Sequence, residues 1–218
     1  TVPYKGFILI FILMLLGNIL SAQENLIQNP GFEQDVLGQL AMWQADAYND
    51  TDPARRIFTV SDISRTGSRS LVIVNLEPND SRVIQWITVE PDTVYHLSAW
   101  TMAEAVQQRG IGANVSVLGS ISASRDRKET GGRWEKIELY GKTGPEQHYL
   151  AVTVRLGFYD NLVTGRVYFD DVTLEKTTGL VPAGVKVVDF ASNRGTGIVD
   201  FREEDEPTAP PPVLLRVL

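Results

Sequence analysis

Three carboxylates near the two ends of the central region of the chain could hold a cation. Glu33 follows an apolar strand and an Asn-Pro-Gly turn in the run ENLIQNPGFEQ, and Asp170 and Asp171 are adjacent in the run RVYFDDVTLEK. If the first strand lies beside the last, these side chains could share a site, and calcium is the usual relief for neighbouring carboxylates that repel each other. Adjacent side chains of a strand diverge, so the alternative is that Asp170 and Asp171 are solvated on opposite faces.

The segments between these carboxylates have the length and composition of short β-strands. Turn signals recur at 77–80, 90–92, 130–133 and 143–146. Their spacing is typical of sandwiches and jelly rolls, and no amphipathic helical pattern follows residue 22. We therefore predict an all-β fold, a β-sandwich jelly roll.

Five segments in this order resemble one family. They are NLIQNPGFE, TGSRSLVI at 66–73, TVYHLSAW at 93–100, the Trp after Gly-Gly at 131–134, and VYFDDVTL at 167–174. Together, over residues 24–176, they are similar to carbohydrate-binding modules of families 4, 9 and 22, which are galactose-binding-like jelly rolls. The resemblance implies a sugar cleft on a concave sheet. It also implies a structural calcium ion, held by Asp170, by Glu33 and by main-chain carbonyls near Gly31 and Arg69. Of the two adjacent aspartates, the resemblance makes Asp170 a better ligand than Asp171.

Strand alternation assigns polar side chains to a ligand-binding face. The even positions of 149–156 are uniformly apolar, so the odd positions must point away from the core, and the same alternation runs through 93–100 and 112–118. A sugar needs an aromatic ring under its C–H face and hydrogen-bonding groups around its hydroxyls. The predicted carbohydrate-binding residues are Trp43, His96, Ser98, Trp100, Asn114, Tyr149, Thr153 and Arg155.

The tryptophans have alternative interpretations as core residues. Trp100 either forms the sugar platform or closes one end of the core, because Trp is largely buried on average. The same two roles are open to Trp43. Trp86 lies in a run that is apolar on both sides, and Trp134 begins a strand with core-like alternation, so we interpret both as packed.

The composition and net charge of the chain exclude several classes of function. The 218-residue chain has a net charge of −7, which repels nucleic acids and anionic membranes, so a neutral ligand fits better. It has no cysteine, which excludes disulfides, thiolate zinc sites and cysteine nucleophiles. No carboxylate pair with glycosidase spacing and no nucleophile elbow is evident. We predict non-catalytic carbohydrate binding; the alternatives are a structural or adhesion domain that contacts proteins and, less favoured, a glycan-active enzyme.

The chain divides into four segments. Residues 1–22 resemble a signal peptide, or a membrane anchor through 7–22 if they are not cleaved. Residues 23–176 form the predicted module, and 177–201 a linker and a β-hairpin that either extends the sandwich edge or begins a second module. Residues 202–218 form an acidic, proline-rich tail, which we expect to be truncated. We expect a secreted or cell-surface, monomeric module that tethers a larger protein to a glycan.

Overall fold

The computed structural model describes residues 23–36, 39–52, 55–177 and 181–191. The predicted export segment and the acidic tail lie outside the described residues. Within the described part of the chain no helix is long and apolar enough to cross a membrane. The strands of that part are β1 (Asp35–Val36), β2 (Gln39–Leu40), β3 (Gln44–Ala47), β4 (Arg56–Ser61), β5 (Ser70–Asn79), β6 (Ser81–Thr88), β7 (Val94–Glu104), β8 (Ala113–Val117), β9 (Glu135–Lys142), β10 (Tyr149–Leu156), β11 (Val163–Lys176) and β12 (Val187–Asp189).

Two sheets make up the sandwich, and a small β1–β2 ribbon lies beside them. The four-stranded sheet has the order β3-β6-β10-β8, and the six-stranded sheet has the order β12-β9-β7-β11-β5-β4. Neighbouring strands are antiparallel except β12, which runs parallel to β9. The predicted β-sandwich is confirmed. We call the side of each sheet that faces away from the core its outer face.

The core lies between the two sheets and is built by strand alternation. In β10 the side chains of Leu150, Val152, Val154 and Leu156 are fully buried, and β7 contributes residues 95, 97 and 99 to the same cluster. Burying one such large apolar side chain stabilises the fold by about 1.5–3 kcal/mol relative to exposing it. The apolar face predicted for 149–156 is therefore confirmed as a core face.

The corner where β5 leaves one sheet and β6 enters the other is fixed by a buried amide. The side-chain nitrogen of Asn75 donates to the carbonyls of Asn79 (3.1 Å), Leu156 (3.3 Å) and Val163 (3.1 Å). Its side-chain oxygen accepts a hydrogen bond from the hydroxyl of Ser81 (2.5 Å). Because main-chain groups freed at a corner must find partners when buried, this amide holds the crossing in place.

Strand β12 lies beyond the predicted module boundary at residue 176 and still belongs to the same sheet. Its Val187 pairs with Tyr140 of β9, and the following Phe190 is only 2% exposed. A Cβ on Gly141 would lie 2.3 Å from the Phe190 ring, so the missing side chain makes room for that ring. Strand β12 adds to the edge of the six-stranded sheet, which is one of the two alternatives for 177–201. The second predicted strand of the hairpin lies outside the described residues.

We expect Phe190→Ala to lower the free energy of unfolding by about 3 kcal/mol, because it removes a buried ring and leaves a cavity. Urea denaturation followed by tryptophan fluorescence measures this. The control is Val187→Ala on the same strand, whose side chain is among the exposed ones and should cost less than about 1 kcal/mol. Equal urea midpoints for Phe190→Ala and the wild type would show that this segment does not contribute to the core.

Candidate functional site

The eight predicted carbohydrate-binding residues do not form one surface, so the prediction of a single cleft is wrong. His96, Ser98 and Trp100 point outward from the six-stranded sheet, because their β7 neighbours fill the core. The four residues of β8 and β10 belong to the opposite, four-stranded sheet; they are Asn114, Tyr149, Thr153 and Arg155. The whole sandwich separates the two sets. Alternation shows which side of a strand faces away from the core, but it does not show to which sheet the strand belongs.

Three of the predicted residues on the four-stranded sheet are closed off from solvent. Asn114, Thr153 and Arg155 are each 0% exposed. The side-chain nitrogen of Asn114 donates to the carbonyls of Gly112 and Gly157, each at 2.9 Å. These side chains cannot contact a sugar in this structure, which corrects their predicted place on a ligand-binding face.

Two of the tryptophans predicted to support a sugar ring, Trp43 and Trp100, are covered by other side chains. Trp43 is fully buried; its indole N–H donates to the carbonyl of Asn29 (3.1 Å), and its ring lies 5.2 Å from that of Phe32. Of its two possible roles, the core is the one observed. The guanidinium carbon of Arg65 lies 3.8 Å from the ring centroid of Trp100 and covers one face of that indole.

The other predicted residues of β7 make contacts within the six-stranded sheet. The Nε2 atom of His96 lies 3.0 Å from a carboxylate oxygen of Glu138, and its ring stacks on Tyr140 at 4.2 Å. The hydroxyl of Ser98 is hydrogen-bonded to that of Thr173 at 2.8 Å. These contacts give both residues a structural role on the outer face of the six-stranded sheet.

A buried ion pair explains why Arg155 is closed off. Asp80 is 0% exposed, and its carboxylate accepts hydrogen bonds from Arg155 Nε (3.0 Å), Arg82 Nη1 (3.0 Å) and the main-chain N–H of Tyr159 (2.8 Å). The Arg155 guanidinium also lies 4.7 Å from the ring of Phe158 and 4.8 Å from that of Tyr159. The turn that carries these two rings therefore covers one end of the outer face.

The other end of this outer face presents a half-buried aromatic pair, Trp86 and Tyr149. In the β6–β10 register Trp86 lies opposite Ala151, and Tyr149 lies opposite Thr88. The two aromatic side chains are therefore diagonal neighbours on one face, within reach of each other's rings. We call them the Trp86–Tyr149 pair.

The outward position of Trp86 is hard to predict from the sequence because a polar residue, Gln85, occupies a core position in the same strand. Val83 and Ile87 face the core, and Gln85 lies between them on the same side, only 4% exposed. Its amide exchanges two hydrogen bonds of 2.8 Å with the main chain of Gln28. If Gln85 is allowed an inward position, alternation places Trp86 on the outer face, and this signal could have identified it.

Polar side chains surround the Trp86–Tyr149 pair. Gln44 on the neighbouring strand β3 and Thr88 on β6 itself are exposed. Asp46 and Arg82 form an ion pair in which the Asp46 side chain is 39% exposed and that of Arg82 only 13%. The face thus offers two rings, an amide, a hydroxyl and a compensated ion pair, the groups that orient a sugar.

The predicted calcium ligand Glu33 is held by main-chain donors. Its Oε1 atom accepts hydrogen bonds from the N–H groups of Ser68 (2.8 Å) and Arg69 (2.9 Å). Burial acts to raise the pKa of Glu33, but a hydrogen bond from the Ser68 hydroxyl (2.7 Å), the two main-chain N–H groups and the Arg69 charge hold that pKa below its ordinary value. Glu33 is therefore ionised and fixed in place at neutral pH.

The two adjacent aspartates differ. Asp170 is 0% exposed; its Oδ2 accepts from the main-chain N–H of Arg65 (2.7 Å) and of Thr66 (3.1 Å). Burial raises the pKa of Asp170 above its ordinary value although these N–H groups oppose the shift. Asp171 instead pairs with the Arg65 guanidinium and the Thr66 hydroxyl, each at 2.5 Å, which corrects its predicted place beside Glu33.

Gly31 lies beside the side chains of Asp170 and Glu33. A Cβ at Gly31 would lie 3.4 Å from Asp170 Oδ1 and 3.7 Å from the Cγ methylene of Glu33, whose carboxylate is turned toward Ser68 and Arg69. Among the described residues no three His, Cys, Asp or Glu side chains converge as a metal site, and the Arg69 side chain pairs with Asp35. A calcium ion here would therefore need main-chain carbonyls to supply most of its ligands in addition to Glu33 and Asp170.

No protein-family model and no curated protein matches the chain. Solved structures do match. A family 61 carbohydrate-binding module in complex with β-1,4-galactotriose is 20% identical, with a TM-score of 0.50, over 71% of this chain and 99% of that one. A Stig cyclase from Fischerella sp. TAU is 15% identical (TM-score 0.52; 70% and 96%). The enzymatically active domain of bacteriophage CBA120 tailspike protein 4 is 14% identical (TM-score 0.51; 70% and 21%). The chain has the fold of carbohydrate-binding modules, as the resemblance implied, and enzymes share it.

Proposed function

We propose that this chain binds a neutral glycan, without altering it, on the outer face of its four-stranded sheet. The observation that carries this proposal is the Trp86–Tyr149 pair, two half-buried rings on neighbouring strands. The C–H face of a sugar packs on such rings, while Gln44, Thr88 and Asp46 are placed to meet its hydroxyls.

Charge favours an uncharged ligand. Arg82 on this face is paired with Asp46 and Asp80, and the chain as a whole carries a net charge of −7. An acidic glycan would find the charge of Arg82 already neutralised by the two aspartates, and the negative charge of the whole protein would repel it. The shared fold with a module solved in complex with a galactotriose supports glycan binding as the function.

The tethering role extends this proposal. A shallow, solvent-facing site gives modest affinity, which is sufficient for a module that raises the local concentration of a linked domain at a polysaccharide. We place the protein outside the cell or on its surface, where such polysaccharides occur, as a monomeric module of a larger assembly.

A binding survey tests the proposal. Residues 23–191, which include β12, are run in affinity electrophoresis through gels containing neutral polysaccharides (β-galactan, xylan and β-glucan), and in parallel through acidic ones. Retardation by at least one neutral polysaccharide is expected. Release of soluble sugar from a polysaccharide would instead indicate a glycan-active enzyme. No retardation in any gel would favour the alternative function, contacts with other proteins.

We also propose a structural calcium ion beside Gly31, held by Glu33, Asp170 and main-chain carbonyls. The ion would neutralise the exposed carboxylate of Glu33 and the buried one of Asp170. Because burial raises the pKa of Asp170 above its unfolded value, ionising this side chain costs folding free energy as the pH rises through the interval between the two values. A bound cation would offset that cost at neutral pH.

Calcium is therefore expected to raise the thermal midpoint relative to EDTA. At a calcium concentration 100 times the dissociation constant the added stability is about 2.7 kcal/mol, measured by calorimetry. Asp170→Asn should remove this response, whereas the control Asp171→Asn should keep it, because Asp171 faces Arg65 and Thr66. Identical wild-type melting curves in calcium and in EDTA would rule out the ion.

A further inference from the structure

Three Asn-x-Ser/Thr triplets in the sequence match the acceptor motif for N-linked glycosylation. They begin at Asn49 (Asn-Asp-Thr), Asn79 (Asn-Asp-Ser) and Asn114 (Asn-Val-Ser). In this modification the side-chain nitrogen of the asparagine is bonded to the C1 carbon of a sugar, so that nitrogen must lie where a bulky glycan can extend into solvent. The environment of each amide therefore distinguishes the three triplets.

Two of these asparagines are closed to a glycan. Asn114 is 0% exposed, and its side-chain nitrogen already donates to the carbonyls of Gly112 and Gly157. Asn79 is 5% exposed, and its side-chain nitrogen donates to the carbonyl of Asn49 (3.0 Å). A sugar on either nitrogen would have to displace packed neighbours, because a protein interior leaves no void of that size. A chain modified at either position cannot adopt this fold.

Asn49 has the opposite environment. It is exposed in the loop that follows β3, as are Asp50 and Thr51. Its main-chain N–H donates to Asn79 Oδ1 (3.0 Å), which fixes the loop, and its own Oδ1 accepts hydrogen bonds from the N–H (3.2 Å) and the hydroxyl (2.7 Å) of Thr51. Its Nδ2 donates no hydrogen bond to the part of the chain that the structure describes. The atom that would carry the sugar is therefore open to solvent on an anchored loop.

This loop lies away from the proposed binding face. Strand β3 ends at Ala47, which pairs with Ser81 at the start of β6, and Trp86 is five residues further along β6. That interval of extended strand spans about 17 Å. A glycan attached at Asn49 would thus start at the opposite end of the four-stranded sheet from the Trp86–Tyr149 pair.

We propose that Asn49 is an acceptor site for N-linked glycosylation, and that the folded protein carries a glycan at this triplet alone. The inference requires export of the chain, as proposed above, and is independent of glycan binding. The donor is an oligosaccharide joined through its C1 carbon to a lipid diphosphate. The Nδ2–C1 bond forms as the C1–O bond breaks, the lipid diphosphate leaves with the electron pair of that bond, and one proton leaves Nδ2. Because transfer precedes folding, chains modified at Asn79 or Asn114 fail to fold and are lost.

Expression of the full chain in a eukaryotic host, behind a secretion signal of that host, tests the inference. Folded protein is isolated by size-exclusion chromatography and treated with peptide-N-glycosidase, which releases the glycan and converts the modified asparagine into aspartate. Peptide mass spectrometry against an untreated sample should find this conversion at Asn49 and not at Asn79 or Asn114. Asn49→Gln and Thr51→Ala should each lose the glycan completely, whereas Thr51→Ser, which keeps the hydroxyl of the motif, should retain it. Both substituted positions are exposed, so the variants should fold.

Three results would overturn the inference. They are folded protein without the conversion at Asn49, folded protein with the conversion at Asn79 or Asn114, and a glycan that persists in both Asn49→Gln and Thr51→Ala. None of these results bears on the binding of a glycan by the Trp86–Tyr149 pair, so the two proposals fail separately.

Discussion

Replacing Asp80 by alanine is expected to lower the free energy of unfolding by 3–5 kcal/mol, about the cost of leaving a buried charge without its partner. Arg155 is 0% exposed, and the Asp80 carboxylate is its ionic partner. The same carboxylate binds Arg82 and the N–H of Tyr159, so the variant also releases the turn over the sheet. Against a typical total stability of about 5–15 kcal/mol this is a large loss.

Urea denaturation measures the effect, and an exposed ion pair provides the control. Arg55 and Glu77 form a pair whose side chains are 54% and 53% exposed, so Glu77→Ala should cost less than about 1 kcal/mol. The double variant Asp80→Leu, Arg155→Met should recover much of the loss, because it removes both charges. A loss below about 1 kcal/mol for Asp80→Ala would show that the buried pair does not hold this end of the sheet.

Trp86→Ala is expected to weaken glycan binding on the order of 100-fold, as loss of a central aromatic anchor does in other binding sites. Trp86 is half-buried on the outer face of β6, beside Tyr149, so the substitution removes the larger ring of the platform. Titration calorimetry against the polysaccharide that retards the wild type measures the change.

The control is another tryptophan on the opposite sheet. Trp100→Ala removes an indole of the six-stranded sheet that is already covered by Arg65, and should leave affinity unchanged once folding is verified by circular dichroism. The reverse pattern, with binding lost in Trp100→Ala and retained in Trp86→Ala, would move the site to the six-stranded sheet.

Local alternation was sufficient to predict the fold. The apolar even positions of β10 pack in the core as predicted, because a strand with one buried face must put alternate side chains on it. The outward position of His96, Ser98 and Trp100 on β7 likewise follows from alternation. Each of these features depends on a short segment whose pattern is visible by itself.

The candidate site could be predicted only in part, because it depends on contacts between distant segments. Nothing near Arg155 in the sequence indicates that Asp80, 75 residues away, pairs with it and buries it. Similarly, the pattern of β7 gives Trp100 an outward direction, but only the strand order places it on the six-stranded sheet. Tyr149 was correctly placed on the outer face of its strand, and its partner Trp86 was obscured by the inward Gln85.

Amide chemical-shift mapping tests the central claim, that the glycan binds to the outer face of the four-stranded sheet. Isotope-labelled protein is titrated with an oligosaccharide of the polysaccharide that binds in calorimetry. The largest shifts are expected in β6 and β10, around Trp86 and Tyr149. Shifts confined to β7 and β9, around Trp100 and Tyr140, would contradict the proposed site.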